Sequence, residues 1–234
     1  AGIVGTAGLN VGARIGEVLD EHLKLGGDRF RGIRLLGTND PHPEIRNGYN
    51  DPAADMFSSN GFREGYAELG KRNLTFEGWC FHHQIPLLTD LAREYPNITM
   101  ILDHFGGPIG IGPYADKQDE VFDLWRQNIA DLAKCENVFA KLGGINMKVN
   151  GFNWHKNSKP PTSEELCEET RRYYEHTIEC FGVARCMFES NFPVDKITCS
   201  YHTLWNSFKR LTENYSTDEK SQLYHDTAAR VYRI

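Results

Sequence analysis

Apolar residues in this chain fall into two alternating patterns. Short runs rich in β-branched and aromatic residues are separated by longer stretches whose apolar positions recur every three or four residues. Ile3-Val4 begins the first run, and over residues 11–25 Ile15, Val18, Leu19 and Leu23 form a helical stripe closed by Gly26-Gly27. "GIRLL" (32–36) predicts a second strand, and Phe62, Tyr66 and Leu69 predict a short helix after it. "LTFEGWCF" (74–81) predicts a third, followed by a helix lined by Leu87, Leu88, Leu91 and Ala92. "ITMILDH" (98–104) is apolar until its last two residues. Val121, Phe122, Trp125, Ile129 and Leu132 then mark a long amphipathic helix before "VFAKLGG" (138–144). Thr162 and Glu165 have capping-box spacing for a helix running to Phe181, and "CMFES" (186–190) is the sixth strand. Two helices close the chain, the last opened by Ser216 and Glu219 in the same spacing.

Strand and helix alternating six times predicts an α/β fold of parallel strands joined by helical crossovers. The strands read as continuous apolar runs, as both-face coverage requires. No linker or low-complexity tract divides the chain, so residues 1–234 are read as a single domain. The connections are unequal. Helix-to-strand links are short (26–31, 71–73, 96–97, 136–137, 182–185), whereas most strand-to-helix links are long (37–60, 105–115, 145–161, 192–199) and rich in Gly, Pro, Asn and His. In α/β proteins the site lies where the strands' C-terminal ends meet their loops, so loop length alone places function at the strand tips.

Each tip carries polar chemistry. Arg34 stands in the second strand; the third ends in His82, His83 and Gln84; the fourth ends in Asp103-His104 followed by "FGGPIGIG", read as a mobile or shaping loop. Lys141 precedes Gly143-Gly144, and the sixth strand ends in Glu189, Ser190 and Asn191, with His42 and His155 in the long loops. Singly, a strand-end histidine is more often a hydrogen-bonded structural group, and Lys141 would snorkel its head to the rim. Together these groups suit hydrolysis. Imidazoles at adjacent tips can hold a divalent metal or polarise a carbonyl, and Arg34 can anchor a carboxylate or hydroxyl. A carboxylate can deprotonate water. Period-two geometry puts Glu189 and Asn191 on one face, with Glu189 as candidate base and Asn191 orienting water or a carbonyl. The competing assignment pairs Glu189 with Lys141 or Arg34 structurally.

Composition narrows the classes. Thirty-two acids against 26 bases give a formal charge of −6, spread along helices rather than gathered in a tail, which argues against a nucleic-acid surface. The six cysteines show neither C-x-x-C nor zinc spacing, and they read as free thiols of a reducing, cytoplasmic compartment. No apolar run is long enough for a membrane span. No Gly-rich phosphate loop appears, so no nucleotide cofactor is expected. The expected partner is a small-molecule substrate, with homo-oligomerisation left open.

"GIR" at 32–34, "HHQIPLLTDLAREYPNITMILDHFGGP" at 82–108, "VFAKLGG" at 138–144, "MFESNFPVD" at 187–195 and the ending "TAARVYRI" resemble the amidohydrolase-related family. That resemblance implies a (β/α)8 TIM barrel and a metal-dependent or metal-independent hydrolase, with zinc or manganese as the candidate divalent metal. Near relatives in the family include lactonases and decarboxylases. By position, His104 looks like the family's histidine at the end of the sixth barrel strand and His82 like the tip of the fifth, both candidate metal ligands. Arg34 looks like the lactonases' substrate-carboxylate arginine, and Asn191 stands where the family usually has a catalytic aspartate. Catalytic candidates are thus His104, Glu189, Asn191 and Lys141; substrate-binding candidates are Arg34, His82, Gln84 and His155. The barrel's first two strands, with their His-x-His motif, have no counterpart here, so roughly six of eight βα units are expected, as in a chain cut from something longer. The resemblance implies opening of a cyclic ester or amide of a small carboxylated or hydroxylated substrate. The alternatives are a non-oxidative decarboxylase and an inactive barrel serving as a binding module.

Overall fold

The computed structural model describes residues 1–49 and 51–234. The strands are β1 (Ile3–Gly5), β2 (Phe30–Leu36), β3 (Thr75–Trp79), β4 (Met100–Leu102), β5 (Val138–Leu142) and β6 (Cys186–Phe188). They form one sheet in the order of the sequence, every neighbouring pair parallel. Between them run α1 (Ile15–Gly26), α2 (Asn60–Lys71), α3 (Ile85–Glu94), α4 (Gln118–Leu132) and α5 (Ser163–Phe181). After β6 come α6 (Tyr201–Leu211), α7 (Thr217–Ser221), a π-helical turn and α8 (Thr227–Tyr232).

Local chemistry explains the element ends. Thr162 accepts from the Glu165 N–H while Glu165 accepts from the Thr162 N–H, and Ser216 and Glu219 repeat the arrangement at α7. The first predicted helix is instead split, with a 3-10 segment at Leu9–Arg14 bent at Gly12 before α1 begins. That segment packs on α2 through bare backbone: a Cβ at Gly61 would stand 2.6 Å from the Asn10 carbonyl oxygen, and one at Gly65 2.0 Å from that of Leu9. The helix tolerates two poor helix formers because contact this close admits no side chain.

Core packing lies between the sheet's outer face and the helices, around Phe57, Phe62, Tyr66, Phe76 and Trp125, all fully buried. One expectation is revised at the strand ends: β3 stops at Trp79, and His82–Gln84 form a 3-10 turn rather than continuing the strand. In "FGGPIGIG", read as a mobile or shaping loop, residues 105–110 are buried.

Gly65→Ala tests the close approach. Alanine is the better helix former by about 1 kcal/mol, yet overpacking against Leu9 is expected to destabilise the protein by about 1–3 kcal/mol in urea titration.

Candidate functional site

Alternate residues of a strand face one side of its sheet. Register sets Arg34 of β2 beside Glu77 of β3, and Glu77 beside Ile101, two residues before Asp103. Lys141 of β5 pairs with Met187, two residues before Glu189. Arg34, Glu77, Asp103, Lys141 and Glu189 consequently project to the same inner face, where they meet. Lys141 Nζ lies 2.6 Å from Glu77 Oε2, 3.2 Å from Asp103 Oδ1 and 4.0 Å from Glu189 Oε2. Arg34 Nε lies 2.9 Å from Asp103 Oδ2, and Tyr232 Oη donates to Glu77 Oε1 at 2.5 Å.

His104 joins this layer to the mouth above it. Its Nδ1 is 2.5 Å from Glu189 Oε1, and Arg34 Nη2 is 2.7 Å from its Nε2. A guanidinium can only donate, so Nε2 accepts and Nδ1 carries the proton given to Glu189. Burial raises a carboxyl's pKa, but His104, Lys141 and Arg34 outweigh it and hold Glu189 at about 2. Burial would likewise discharge Lys141, yet Asp103, Glu189 and Glu77 keep it well above the ordinary lysine range. For His104 burial lowers the pKa and Glu189 more than restores it, leaving an imidazole more basic than usual. A proton arriving at Nε2 must displace Arg34. The side chain of Arg34 is 34% exposed, against 3% for His104, so the guanidinium is the more accessible member of the pair.

The backbone aims the imidazole. His104 and Phe105 both have left-handed φ, 51° and 59°, a conformation costing non-glycine residues about 1–2 kcal/mol each. Fully buried Phe105 and the bond from Trp125 Nε1 to the Phe105 carbonyl at 2.6 Å hold the turn in place. Room for the ring comes from the two glycines that follow β5. A Cβ at Gly144 would lie 2.5 Å from His104 Nδ1, and one at Gly143 2.2 Å from the Glu189 carbonyl oxygen.

Above His104 opens a cleft of about 620 Å³, lined by Arg34, Trp79, Arg46, Tyr49, Met147 and Asn191 among others. Trp79 stands edge-on to His104 at 5.5 Å between ring centres. Asn191 reaches the cleft from a left-handed backbone (φ 51°), its Nδ2 donating to Asp195 Oδ1 at 2.8 Å.

The histidines and glutamine of "HHQ" go elsewhere. The 3-10 turn swings them off the inner face. His82 is buried, its Nδ1 accepts from the Ile109 N–H at 3.4 Å, and its ring meets Tyr114 edge-on. Burial and then neighbouring His83 push its pKa down to about 4, which suits an acceptor. Gln84 spends its amide on backbone, taking the Asn39 and Phe81 N–H groups and donating to the Gly37 carbonyl, and so staples the 37–59 loop. His83 Nε2 lies 3.1 Å from the Asn39 carbonyl oxygen. His155 lines a separate depression with Trp154 and Lys196. The structure therefore brings together Arg34, His104, Lys141, Glu189 and Asn191, and sets His82, Gln84 and His155 apart from them.

Sequence reasoning passed over Glu77, Trp79, Tyr232, Asp195 and the 46–49 loop as site residues, and placed Asp103 at its strand tip without giving it a role. Glu77 carried a usable signal: a carboxylate in the middle of an otherwise apolar strand. The loop carried none.

Three comparisons place this geometry. The chain is 36% identical over 234 residues to an uncharacterized protein of Sinorhizobium fredii, covering all of this chain and 70% of that one. It is 26% identical over 174 residues to an L-fucono-1,5-lactonase of Burkholderia multivorans, covering 74% of this chain and 56% of the lactonase. In structure it matches an amidohydrolase of Burkholderia multivorans crystallised with bound zinc, with a TM-score of 0.81 at 22% identity, over 100% of this chain and 74% of that one. The curled six-stranded sheet with its outer helices is thus part of a TIM-barrel amidohydrolase fold. The chain belongs to the Amidohydrolase family, whose sequence pattern it matches over residues 2–234.

Proposed function

We propose that this protein is a hydrolase that opens a lactone of a small hydroxylated or carboxylated acid at the floor of the cleft. The observation carrying this reading is the hydrogen-bonded chain Arg34–His104–Glu189, which ends in a basic nitrogen covered by a partly exposed cation. The substrate carbonyl competes for the Arg34 guanidinium. As Arg34 turns toward it, His104 Nε2 is uncovered and accepts a proton from an attacking water. The hydroxide oxygen bonds to the carbonyl carbon, and the oxyanion that forms is held by Arg34. Collapse breaks the ring C–O bond, and His104 returns its proton to the leaving alkoxide, giving the hydroxy acid. Glu189, held near a pKa of 2, is too weak a base for the water. Its carboxylate fixes the Nδ1–H tautomer and stabilises the imidazolium, a division of labour like that of a carboxylate–histidine pair in a hydrolytic triad. The lactonase relative supports the substrate class.

The family resemblance also brought a divalent metal into question. The oxygens of Glu77, Asp103 and Glu189 face Lys141, Arg34, His104 or Tyr232, and both nitrogens of His104 are taken. Among the described residues, no group of three or more His, Cys, Asp or Glu side chains is placed to hold an ion. As arranged, these residues do not fit a metal, and no step is routed through one.

The assay is proton release from L-fucono-1,5-lactone and related sugar lactones, with spontaneous opening subtracted. Turnover is expected from the native protein, and none above background would overturn the reading; release of carbon dioxide would favour the decarboxylase. His104→Ala is expected to lower kcat by about a hundredfold to ten-thousandfold, and Arg34→Met by about a hundredfold to a thousandfold. Glu189→Gln is expected to fall with His104, whereas a loss confined to KM would remove it from the chemistry.

Two further outcomes follow from the site's geometry. Gly144→Ala places a methyl on His104 and is expected to cut kcat while the fold, followed by circular dichroism, persists. The active form has His104 neutral, so activity is lost as pH falls through its pKa. Glu189 raises that pKa above the ordinary 6.5, and Glu189→Gln should therefore shift the acid limb of kcat/KM to lower pH.

A further inference from the structure

Asn191 presents an amide where an acid would be the simpler base, and Asp195 accounts for it. Asp195 is wholly buried in the 3-10 turn Val194–Ile197, one turn beyond Asn191. Its Oδ1 accepts from Asn191 Nδ2 at 2.8 Å, and its own N–H donates to the Asn191 carbonyl oxygen at 3.2 Å. Among the described residues its second carboxylate oxygen is buried without a hydrogen-bond partner. An amide is planar with its oxygen opposite its nitrogen, so the bond to Asp195 fixes which end of Asn191 faces outward. Among the described residues no protein donor reaches the Asn191 Oδ1, and the residue lines the cleft together with His104.

We propose that Asp195 is a positioning residue: it holds the Asn191 nitrogen inward so that the amide oxygen faces the cleft as a fixed acceptor for the attacking water or a substrate hydroxyl. The contribution to hydrolysis rests on the lactone-opening reading above; the orientation itself does not. An acid at 191 would face another carboxylate at hydrogen-bonding distance, and like charges that close cannot both be ionised. The amide at the strand tip is therefore the partner that a buried aspartate four residues on requires. Burial pushes the Asp195 carboxyl up to about 7, only partly offset by the Asn191 amide, His104 and the Asn146 backbone, with Glu189 acting in the same sense as burial. A donor from Asn191 is thus what the ionised form needs. Tyr174 and Cys199 are the other titratable side chains that feel its charge.

The test reads orientation and catalysis separately, on the full chain. In ¹⁵N-labelled protein without substrate, the side-chain NH₂ resonance of Asn191 is assigned by its loss in Asn191→Ser. A hydrogen-bonded, slowly exchanging proton is expected, with exchange accelerating about tenfold in Asp195→Ala. Unchanged exchange would overturn the positioning role whether or not any lactone is turned over. In the kinetic arm, Asp195→Asn is expected to lower kcat about tenfold with little change in KM. Asn191→Asp is expected to do worse, and the exchanged pair Asn191→Asp/Asp195→Asn to recover most of the loss, because it restores one donor facing one carboxylate. A swap that recovers thermal stability but not kcat would reduce the pair to a structural contact and sink the proposal.

Discussion

Lys141 stands among Glu77, Asp103 and Glu189, and Arg34 closes the same group from the mouth. This exchange of charge is the constraint on which the rest depends. A buried ion left isolated costs several kcal/mol, and stranding one by removing its partner costs about 3–5 kcal/mol. The parallel register answers this by setting cations and carboxylates from neighbouring strands at one level. Tyr232, from the chain's last helix, supplies the remaining donor to Glu77. The C-terminal segment is in this way part of the polar interior, and Arg31 fastens it further by donating to the Tyr232 and Arg233 carbonyl oxygens.

From that layer the site is built outward. His104, Lys141 and Arg34 keep Glu189 ionised; Glu189 orients His104; His104 presents its lone pair to Arg34, and both of these reach the cleft. The same cation therefore serves two ends. It neutralises Asp103 through Nε and guards the base through Nη2. Arginine suits this double duty because its delocalised charge sits beside Asp103 at Nε while Nη2 donates to His104, which the single ammonium of a lysine at 34 would not do.

Much of the fold was legible because both-face burial leaves an unambiguous apolar pattern: the six strands, their parallel sense and both capping boxes could be read from residue types. The tips were legible in kind and less so in detail. Arg34, Lys141 and Glu189 obey the period of two, so inward direction followed from position. His82 and Gln84 escaped that rule because β3 ends at Trp79, and a 3-10 turn has a different periodicity. Asp195 could not be found by any strand rule, since its link to Asn191 runs through a local turn, and the left-handed backbone at His104 leaves no mark in a sequence without glycine there.

That left-handed turn ties the imidazole to the outer layer. Trp125 belongs to α4 on the far side of β4, yet its indole grips the carbonyl of the residue next to His104. Exchanging mouth loops among relatives to alter substrate preference would leave this anchor behind unless the helix travelled with them. The smallest transplantable unit of this half of the site is the strand, its turn and the following helix together.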